Sequence, residues 1–189
     1  MNSIDDYILT YNVIPKSLCR SLIEQCKESH WTKHKWSTYG QRDTEFSKQN
    51  KELDILSSTT EQFKSLGPLI MKAIMLYQDK ISWAEGHCRP PWIHRINQVR
   101  FNKYEIGTKM ETHYDHIQSL FDGKLKGIPI ISIVGLLNDN YEGGEFICRG
   151  KEVKMERGDI LLFPSNFIYP HGVNTLTKGI RYSFVSWAF

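Results

Sequence analysis

Apolar residues recur at helical spacing in two stretches of the first half of the chain. The first stretch follows Pro15 and comprises Leu18, Leu22, Ile23 and Cys26, with charged residues between them. The second comprises Phe63, Leu66, Ile70, Ile74, Tyr77 and Ile81. Ser58 and Glu61 have the spacing of a capping box at its start, and Pro68 is expected to split it into two helices. The first half therefore predicts amphipathic helices.

From about Ile93 the pattern changes to short strands separated by glycine-marked turns. The predicted strands are Ile96 to Tyr104, Ile128 to Leu137, Glu145 to Cys148, Val153 to Glu156, Ile160 to Phe163 and Tyr182 to Phe189. Helices followed by many strands indicate an α+β domain, a two-sheet jelly roll buttressed by N-terminal helices. We expect a single domain over 1–189, with helical support over about 1–90 and the jelly-roll core over about 91–189.

Composition narrows the class of protein. The chain has 189 residues and a net charge of only +3, so charge gives no case for nucleic-acid binding. No apolar run approaches a membrane span, and the polar N-terminus lacks the features of a signal peptide. The four cysteines form no CxxC pair, and Cys19 and Cys26 are expected to be small buried residues of the first helix. These features predict a cytoplasmic protein.

Two histidines and one aspartate are candidate metal ligands. His113 and Asp115 are two apart, so in an extended segment both side chains face the same side, and His171 would join them from a late strand. Two nitrogens and one carboxylate oxygen with open positions are typical of non-haem Fe(II). The other histidines are expected to be surface or core residues: His30, His34, His87 and His94. His116 would point away from Asp115 and is discounted as a ligand.

Arg181 follows His171 by ten residues and is a candidate receptor for an anionic co-substrate. Period two places Arg181 and Ser183 on one strand face, where a guanidinium and a hydroxyl together suit a carboxylate. Tyr104 precedes His113 by nine residues, and its phenol is a third candidate for holding an organic acid.

At these residues the chain resembles a known family, the prolyl 4-hydroxylase-like Fe(II)- and 2-oxoglutarate-dependent dioxygenases. The residues from Tyr104 to Asp115 resemble the family's YxxGxxxxxHxD segment, and Leu137 to Glu145 resemble its LND hairpin ending in GGE. Gly158 to Pro164 is similar to its GDALLF strand. His171 to Val173, Gly179 to Ser183 and Trp187 resemble its ending. The resemblance covers about residues 96–189.

The resemblance implies a double-stranded β-helix that binds Fe(II), 2-oxoglutarate and O2, with ascorbate as a candidate reductant. Iron would be held by His113, Asp115 and His171, and 2-oxoglutarate by Arg181, Ser183 and Tyr104. The reaction would hydroxylate an unactivated C–H and release succinate and CO2. Two departures stand out: collagen-type members have lysine at the position of Arg181, and many relatives have tyrosine at the position of Leu136.

The iron site does not identify the primary substrate. The first hypothesis is a prolyl residue in a peptide or protein, and the second is a free amino acid, a small metabolite or a nucleobase. A third hypothesis, of another class, is a non-catalytic jelly-roll module that binds metal. Candidate substrate contacts are Gln98 and Arg100 on the strand before His113, together with Trp92, and residues 31–52 are a candidate lid. The oligomeric state stays open.

Overall fold

The computed structural model describes residues 3–37, 45–46, 52–81, 93, 95–115 and 129–189, and for 45–46 it describes the backbone alone. Its helices are a 3₁₀ turn Ile4–Tyr7, α1 Lys16–Lys27 and α2 Thr60–Ile81. Its strands in the first half are β1 Leu9–Asn12, β2 Thr32–Lys33, β3 Trp36–Ser37, β4 Glu45–Phe46 and β5 Asp54–Ser57. The remaining strands are β6 Arg100–Tyr104, β7 Met110–His113, β8 Ile131–Leu136, β9 Glu142–Gly143, β10 Phe146–Cys148, β11 Lys151–Val153, β12 Asp159–Pro164, β13 His171–Val173, β14 Leu176–Lys178 and β15 Arg181–Ala188.

Two antiparallel sheets make the framework of the described residues. A seven-stranded major sheet has the order β1-β12-β8-β15-β6-β5-β2, and a four-stranded minor sheet has the order β11-β10-β13-β7. Two small two-stranded ladders, β14-β9 and β3-β4, lie beside them. This is the predicted α+β jelly roll. Side chains along the strands of the major sheet point alternately to two buried faces.

The alternation of side chains along the major-sheet strands produces two cores. Ile133, Ile160 and Phe184 face the helices, where they pack in one cluster with α1 and α2 residues such as Leu22 and Ile70. Their neighbours in sequence point the other way, toward the minor sheet. There, in a second cluster, Val134, Leu161 and Phe163 pack with Phe146 and Val173. The space between the sheets therefore has a mostly apolar wall, in which any polar residue needs a partner.

Helix α2 is continuous through Pro68, so the prediction of two helices is wrong. Proline costs a helix one backbone hydrogen bond and a steric adjustment. Here the long apolar face of α2, which buries residues such as Leu66, Ile70 and Ile74 completely, offsets that cost. The cap also lies one residue later than predicted. Thr59 Oγ1 accepts from the backbone N–H of Gln62 (3.2 Å), and Gln62 Oε1 accepts from the backbone N–H of Thr59 (2.9 Å).

The first half of the chain supplies strands as well as helices. β1 pairs with β12 at one edge of the major sheet, and β5 pairs with β6 near the other. The sequence predicts a loop with short strands over residues 27–51, where β2, β3 and β4 lie, but it predicts neither β1 nor β5, because a strand of four residues leaves almost no periodic pattern. Cys19 and Cys26 are buried in α1 as expected. Among the described residues, no helix is long and apolar enough to cross a membrane.

Candidate metal centre and co-substrate cavity

His113, Asp115 and His171 converge in the space between the two sheets. His113 ends β7 and His171 begins β13, and antiparallel pairing places these two residues directly opposite each other. Asp115 follows β7 by two residues and returns to the same side. One ligand atom from each residue lies within 4.8 Å of the others. The structure therefore brings the three predicted residues together.

The donor atoms of the triad point at one another. Nε2 of His113 and Nε2 of His171 lie 3.8 and 3.7 Å from the same oxygen, Oδ1 of Asp115. On the far side of each ring, Nδ1 donates to the backbone carbonyl two residues earlier, at 2.8 Å to Glu111 and 3.0 Å to Tyr169. A protonated Nδ1 leaves the lone pair on Nε2, which faces the centre of the triad.

Ser132 fixes the third ligand and was missed in the sequence. This serine lies on β8 of the major sheet, and its hydroxyl donates to Oδ2 of Asp115, which leaves Oδ1 turned toward the two imidazoles. The contact joins the two sheets at the site. A signal was available, because Ser132 is a polar residue inside an otherwise apolar run, and a buried hydroxyl in such a run needs an acceptor.

Aromatic rings enclose the two histidines. Trp36 meets the His113 ring edge to face at 5.4 Å, and Phe163 meets the His171 ring at 4.8 Å. The indole of Trp36 is held by a hydrogen bond of 2.9 Å to Oε1 of Glu52. Burial lowers the pKa of His113 to about 4, helped by the neighbouring His171. His113 is therefore neutral near pH 7, which is the state that binds a metal ion.

Arg181 lies deep between the sheets, only 1% exposed, with a guanidinium that is incompletely paired. Nη1 donates to Oγ of Ser183 at 2.8 Å, as the shared strand face predicted. The guanidinium carbon lies 5.1 Å from the Tyr104 ring and 5.9 Å from the Tyr141 ring. Nε has no hydrogen-bond partner among the described residues. A buried cation with an unused donor is costly unless an anion binds there.

Gly144 makes room for this arginine. A Cβ added at Gly144 would lie 3.1 Å from Cδ of Arg181, and its φ of +66° lies in the left-handed region. Through this glycine, the Leu137 to Glu145 segment leaves space for the Arg181 side chain. Asn138 ties it to the last strand by accepting from the backbone N–H of Tyr182 at 2.7 Å and donating to the Ile180 carbonyl at 2.7 Å.

One cavity, lined by residues of both sheets, connects the triad with Arg181. Its polar lining residues are Arg100, Asn102, Tyr104, His113, Asp115, Ser132, His171, Arg181 and Ser183. Its apolar lining includes Val134, Phe146, Val173, Val185 and Trp187. A mostly apolar cavity with a few convergent polar groups is typical of a small-molecule site.

Arg100 and Asn102 extend the polar face of β6 into this cavity. The guanidinium of Arg100 lies over the Trp187 ring at 5.7 Å. Its Nε and the Oδ1 atom of Asn102 are both shielded from solvent and lack a hydrogen-bond partner among the described residues. Burial lowers the pKa of Arg100, while the charges of Tyr104 and Asp115 raise it. An arginine nevertheless keeps its proton in a protein.

Gln98 does not join them. Strand β6 begins only at Arg100, and the Gln98 amide donates to the backbone carbonyl of Ser58 outside the cavity lining. Of the two residues of this segment predicted to contact substrate, Arg100 therefore lines the cavity and Gln98 does not. Trp92 and His116 lie outside the described residues. So does most of the 31–52 segment, of which Trp36 and Glu52 are the described part that reaches the triad.

The triad suits a divalent iron ion. Two imidazole nitrogens and one carboxylate oxygen bind on one side of an octahedral ion and leave three positions for other ligands. Metal–ligand bonds of about 2.1 Å place neighbouring ligand atoms about 3 Å apart. The two separations of 3.7–3.8 Å to Asp115 exceed this by less than about 1 Å, and all three ligand atoms lie within 4.8 Å of one another. The guanidinium of Arg181 in the same cavity, with an Nε that no described residue uses, suits a dianionic organic acid.

Comparison with known sequences agrees with this donor set. Residues 99–189 match the family model described as the 2OG-Fe(II) oxygenase superfamily. A PKHD-type hydroxylase of Idiomarina loihiensis is 32% identical over 97 residues, which are 49% of this chain and 42% of that protein. A PKHD-type hydroxylase of Acinetobacter baumannii is 27% identical over 183 residues, covering 93% of this chain and 74% of that protein. The match spans less than half the length of the first of these relatives.

Solved structures share the fold over almost the whole chain. A Pseudomonas putida prolyl-4-hydroxylase aligns with a TM-score of 0.67 at 18% identity, covering 98% of this chain and 96% of that one. A Trichoplax adhaerens prolyl hydroxylase in complex with a hypoxia inducible factor peptide fragment aligns with a TM-score of 0.66 at 15% identity, covering 97% and 84%. These likenesses confirm the double-stranded β-helix fold.

Proposed function

We propose that this chain is an iron oxygenase of the 2OG-Fe(II) oxygenase superfamily, whose family model matches its residues 99–189, and that it hydroxylates a prolyl residue in a peptide or protein. The family implies Fe(II), 2-oxoglutarate and O2 as its reactants. When bound, iron and 2-oxoglutarate supply, with O2, the oxidant for an unactivated C–H and release succinate and CO2.

The proposal rests mainly on one observation, that a single cavity connects the metal triad with Arg181. The three ligand atoms of His113, Asp115 and His171 lie at one part of it, and the buried guanidinium of Arg181, whose Nε has no partner among the described residues, lies at another. A structural metal site is closed and needs no such neighbour. A site for a keto acid needs both an ion with open positions and a cation for the far carboxylate.

In this proposal each group of the chain has one role. The two Nε2 atoms and Oδ1 of Asp115 bind iron, and the carbonyl and hydroxyl partners of these residues hold them in place. Arg181 and Ser183 bind the far carboxylate of 2-oxoglutarate, and Tyr104 packs against that guanidinium at 5.1 Å. Apolar lining residues such as Val134 exclude water from the cavity, which strengthens the attraction between Arg181 and the bound carboxylate.

Support for a peptide or protein substrate comes from the structural neighbours. One of them holds a peptide fragment, and both are named as prolyl hydroxylases. The alternative of a free amino acid has support from Arg100, a second arginine of the cavity, whose Nε has no partner among the described residues.

The experiment is an activity screen with a metal-site control. Purified protein is incubated with Fe(II), 2-oxoglutarate, O2, ascorbate and proline-containing peptides, and succinate and product masses are measured. We expect peptide-stimulated succinate release and a gain of one oxygen atom on proline, both absent in His113→Ala. Succinate release at the wild-type rate in His113→Ala would reject the metal assignment. Hydroxylation of free amino acids alone would reject the peptide substrate.

A further inference from the structure

Arg100 presents a second cationic site in the cavity, separate from the one proposed for 2-oxoglutarate. Its Nε is shielded from solvent and has no hydrogen-bond partner among the described residues. No described carboxylate lies within 4 Å of its guanidinium, whereas the surface arginines Arg149 and Arg157 have Asp5 and Asp139 within that distance. The Trp187 ring at 5.7 Å supports one side of the guanidinium and leaves its donors unused.

The two arginines of the cavity lie at different positions along the same strand pair. Arg181 pairs in register with Tyr104, and Arg100 pairs with Val185, four residues along each strand. At about 3.3 Å per residue, the Cα atoms of Arg100 and of Tyr104, the partner of Arg181, are about 13 Å apart along β6. The carbon chain of 2-oxoglutarate has four bonds of about 1.5 Å and spans at most about 6 Å. The guanidinium of Arg100 lies over Trp187, six residues beyond Arg181 along β15, so it is directed away from a molecule anchored at Arg181 and available to a different ligand.

Charge balance leads to the same result. In the loaded site Fe(II) and 2-oxoglutarate cancel each other in formal charge, and Asp115 cancels Arg181. The charge of Arg100 then has no counterpart among the described groups of the cavity. A buried cation is retained against its desolvation cost when a ligand supplies the missing anion.

Asn102 adds a polar group of different character beside this cation. It lies between Arg100 and Tyr104 on the cavity face of β6, and it is 2% exposed. Its Oδ1 atom has no partner among the described residues, so it offers an acceptor for an N–H or O–H group. A cation followed two residues later by an acceptor suits a carboxylate with a neighbouring N–H, as found in amino acids and in peptides.

We propose that Arg100 binds a carboxylate of the primary substrate and thereby positions the C–H that is hydroxylated, with Asn102 accepting a hydrogen bond from the same molecule. This inference rests on the proposed function. It narrows the substrate to one with a carboxylate close to the target carbon. That carboxylate belongs either to an acidic side chain next to the target residue of a peptide or to a free amino acid.

The first test uses acetate as a carboxylate probe and needs no known substrate. The visible absorption band of the anaerobic complex with Fe(II) and 2-oxoglutarate is recorded while sodium acetate is added at constant ionic strength. We expect a saturable change of the band in the wild type. In Arg100→Gln the acetate concentration for half the change should rise at least tenfold, and Arg100→Lys should lie between. Arg20→Gln makes the same chemical change at an exposed position of α1 and serves as the control.

The possible results distinguish a failure of this inference from a failure of the proposed function. A wild type without the band rejects the oxygenase itself. A band that acetate does not change, or changes equally in Arg100→Gln, overturns the role of Arg100 alone. If Arg100→Gln raises the dissociation constant of 2-oxoglutarate as much as Arg181→Gln does, Arg100 belongs to the co-substrate site and the inference is wrong.

The second test identifies the source of the carboxylate. Succinate release is compared between matched pairs that differ only in a carboxylate or an amide: Pro-Glu and Pro-Gln within capped peptides, and free amino acids with their amides. We expect the acid member of one set to have at least tenfold higher kcat/KM, and this preference to disappear in Arg100→Gln. Equal use of acid and amide members in both sets would overturn the proposal.

Discussion

Replacing Arg181 tests the co-substrate half of the cavity. Arg181 is 1% exposed, its Nη1 bonds to Ser183 at 2.8 Å, and its Nε is unused by the described residues. Arg181→Gln keeps part of the volume and some hydrogen-bonding capacity but removes the charge. Breaking a buried charge pair costs about 2–5 kcal/mol. Because Ser183 and Tyr104 remain, we expect the lower part of that range, about 2–3 kcal/mol.

This loss corresponds to a dissociation constant for 2-oxoglutarate about 30- to 150-fold higher, at about 1.4 kcal/mol per tenfold change. Arg181→Lys keeps the charge but loses the planar fork that matches a carboxylate, so its dissociation constant should rise about tenfold. The assay is an anaerobic titration of the Fe(II)-loaded protein with 2-oxoglutarate, followed by visible absorption. Circular dichroism and the Tm without 2-oxoglutarate show whether each variant is folded.

The iron affinity provides the internal control for this experiment. Arg181 contacts no member of the triad, so both variants should bind Fe(II) within about threefold of the wild type, a difference below about 0.7 kcal/mol. A folded Arg181→Gln variant whose 2-oxoglutarate dissociation constant stays within threefold of the wild type would refute the assignment. Equal loss of iron and 2-oxoglutarate affinity would indicate a general disturbance of the cavity instead.

Three further substitutions test other parts of the account. Ser132→Ala removes the hydroxyl that holds Asp115 and should weaken Fe(II) binding about 10- to 100-fold in a metal competition assay; unchanged affinity would contradict its orienting role. Gly135→Ala places a Cβ 2.0 Å from the Phe184 ring and should lower the unfolding free energy in urea by about 1–3 kcal/mol, unless the ring has room to move. Asp54 is buried, which raises its pKa, but hydrogen bonds from two lysines at 2.8 and 3.0 Å hold the pKa below its ordinary value. Stability from this depressed carboxyl is present above its unfolded pKa and is lost as pH falls through the folded one. Asp54→Asn should therefore lower the unfolding free energy by about 1 kcal/mol at pH 7, and this difference should disappear as pH falls through the folded pKa; a difference that persists in acid would contradict the pairing.

The metal triad was predictable because its spacing is local. His113 and Asp115 are two residues apart, and Arg181 and Ser183 are two residues apart, so in each case an extended backbone brings both side chains to one face. The pairing of His171 with His113 depends on which strands become neighbours; the sequence predicted only that His171 would join from a late strand, and the family resemblance supported the set of three. Local spacing thus predicted the donors, and the topology of the fold placed them together.

The groups that support the triad were not predictable in this way. Ser132 reaches Asp115 from the opposite sheet, and Trp36 reaches His113 from a short strand of the first half. Both contacts join segments that are distant in sequence, and neither leaves a periodic signal. The continuation of α2 through Pro68 shows the same limit, since tertiary packing outweighed a strong local preference.

The most direct test of the central assignment is an anaerobic spectrum of four proteins with Fe(II) and 2-oxoglutarate: the wild type, His113→Ala, His171→Ala and His30→Ala. His30 is an exposed histidine outside the triad and serves as the matched control. The assignment predicts the same visible band, saturating at one iron per chain, in the wild type and His30→Ala. It predicts no band in the other two. A band that persists in His113→Ala, or a wild type that shows none, would contradict the assignment of iron to His113, Asp115 and His171.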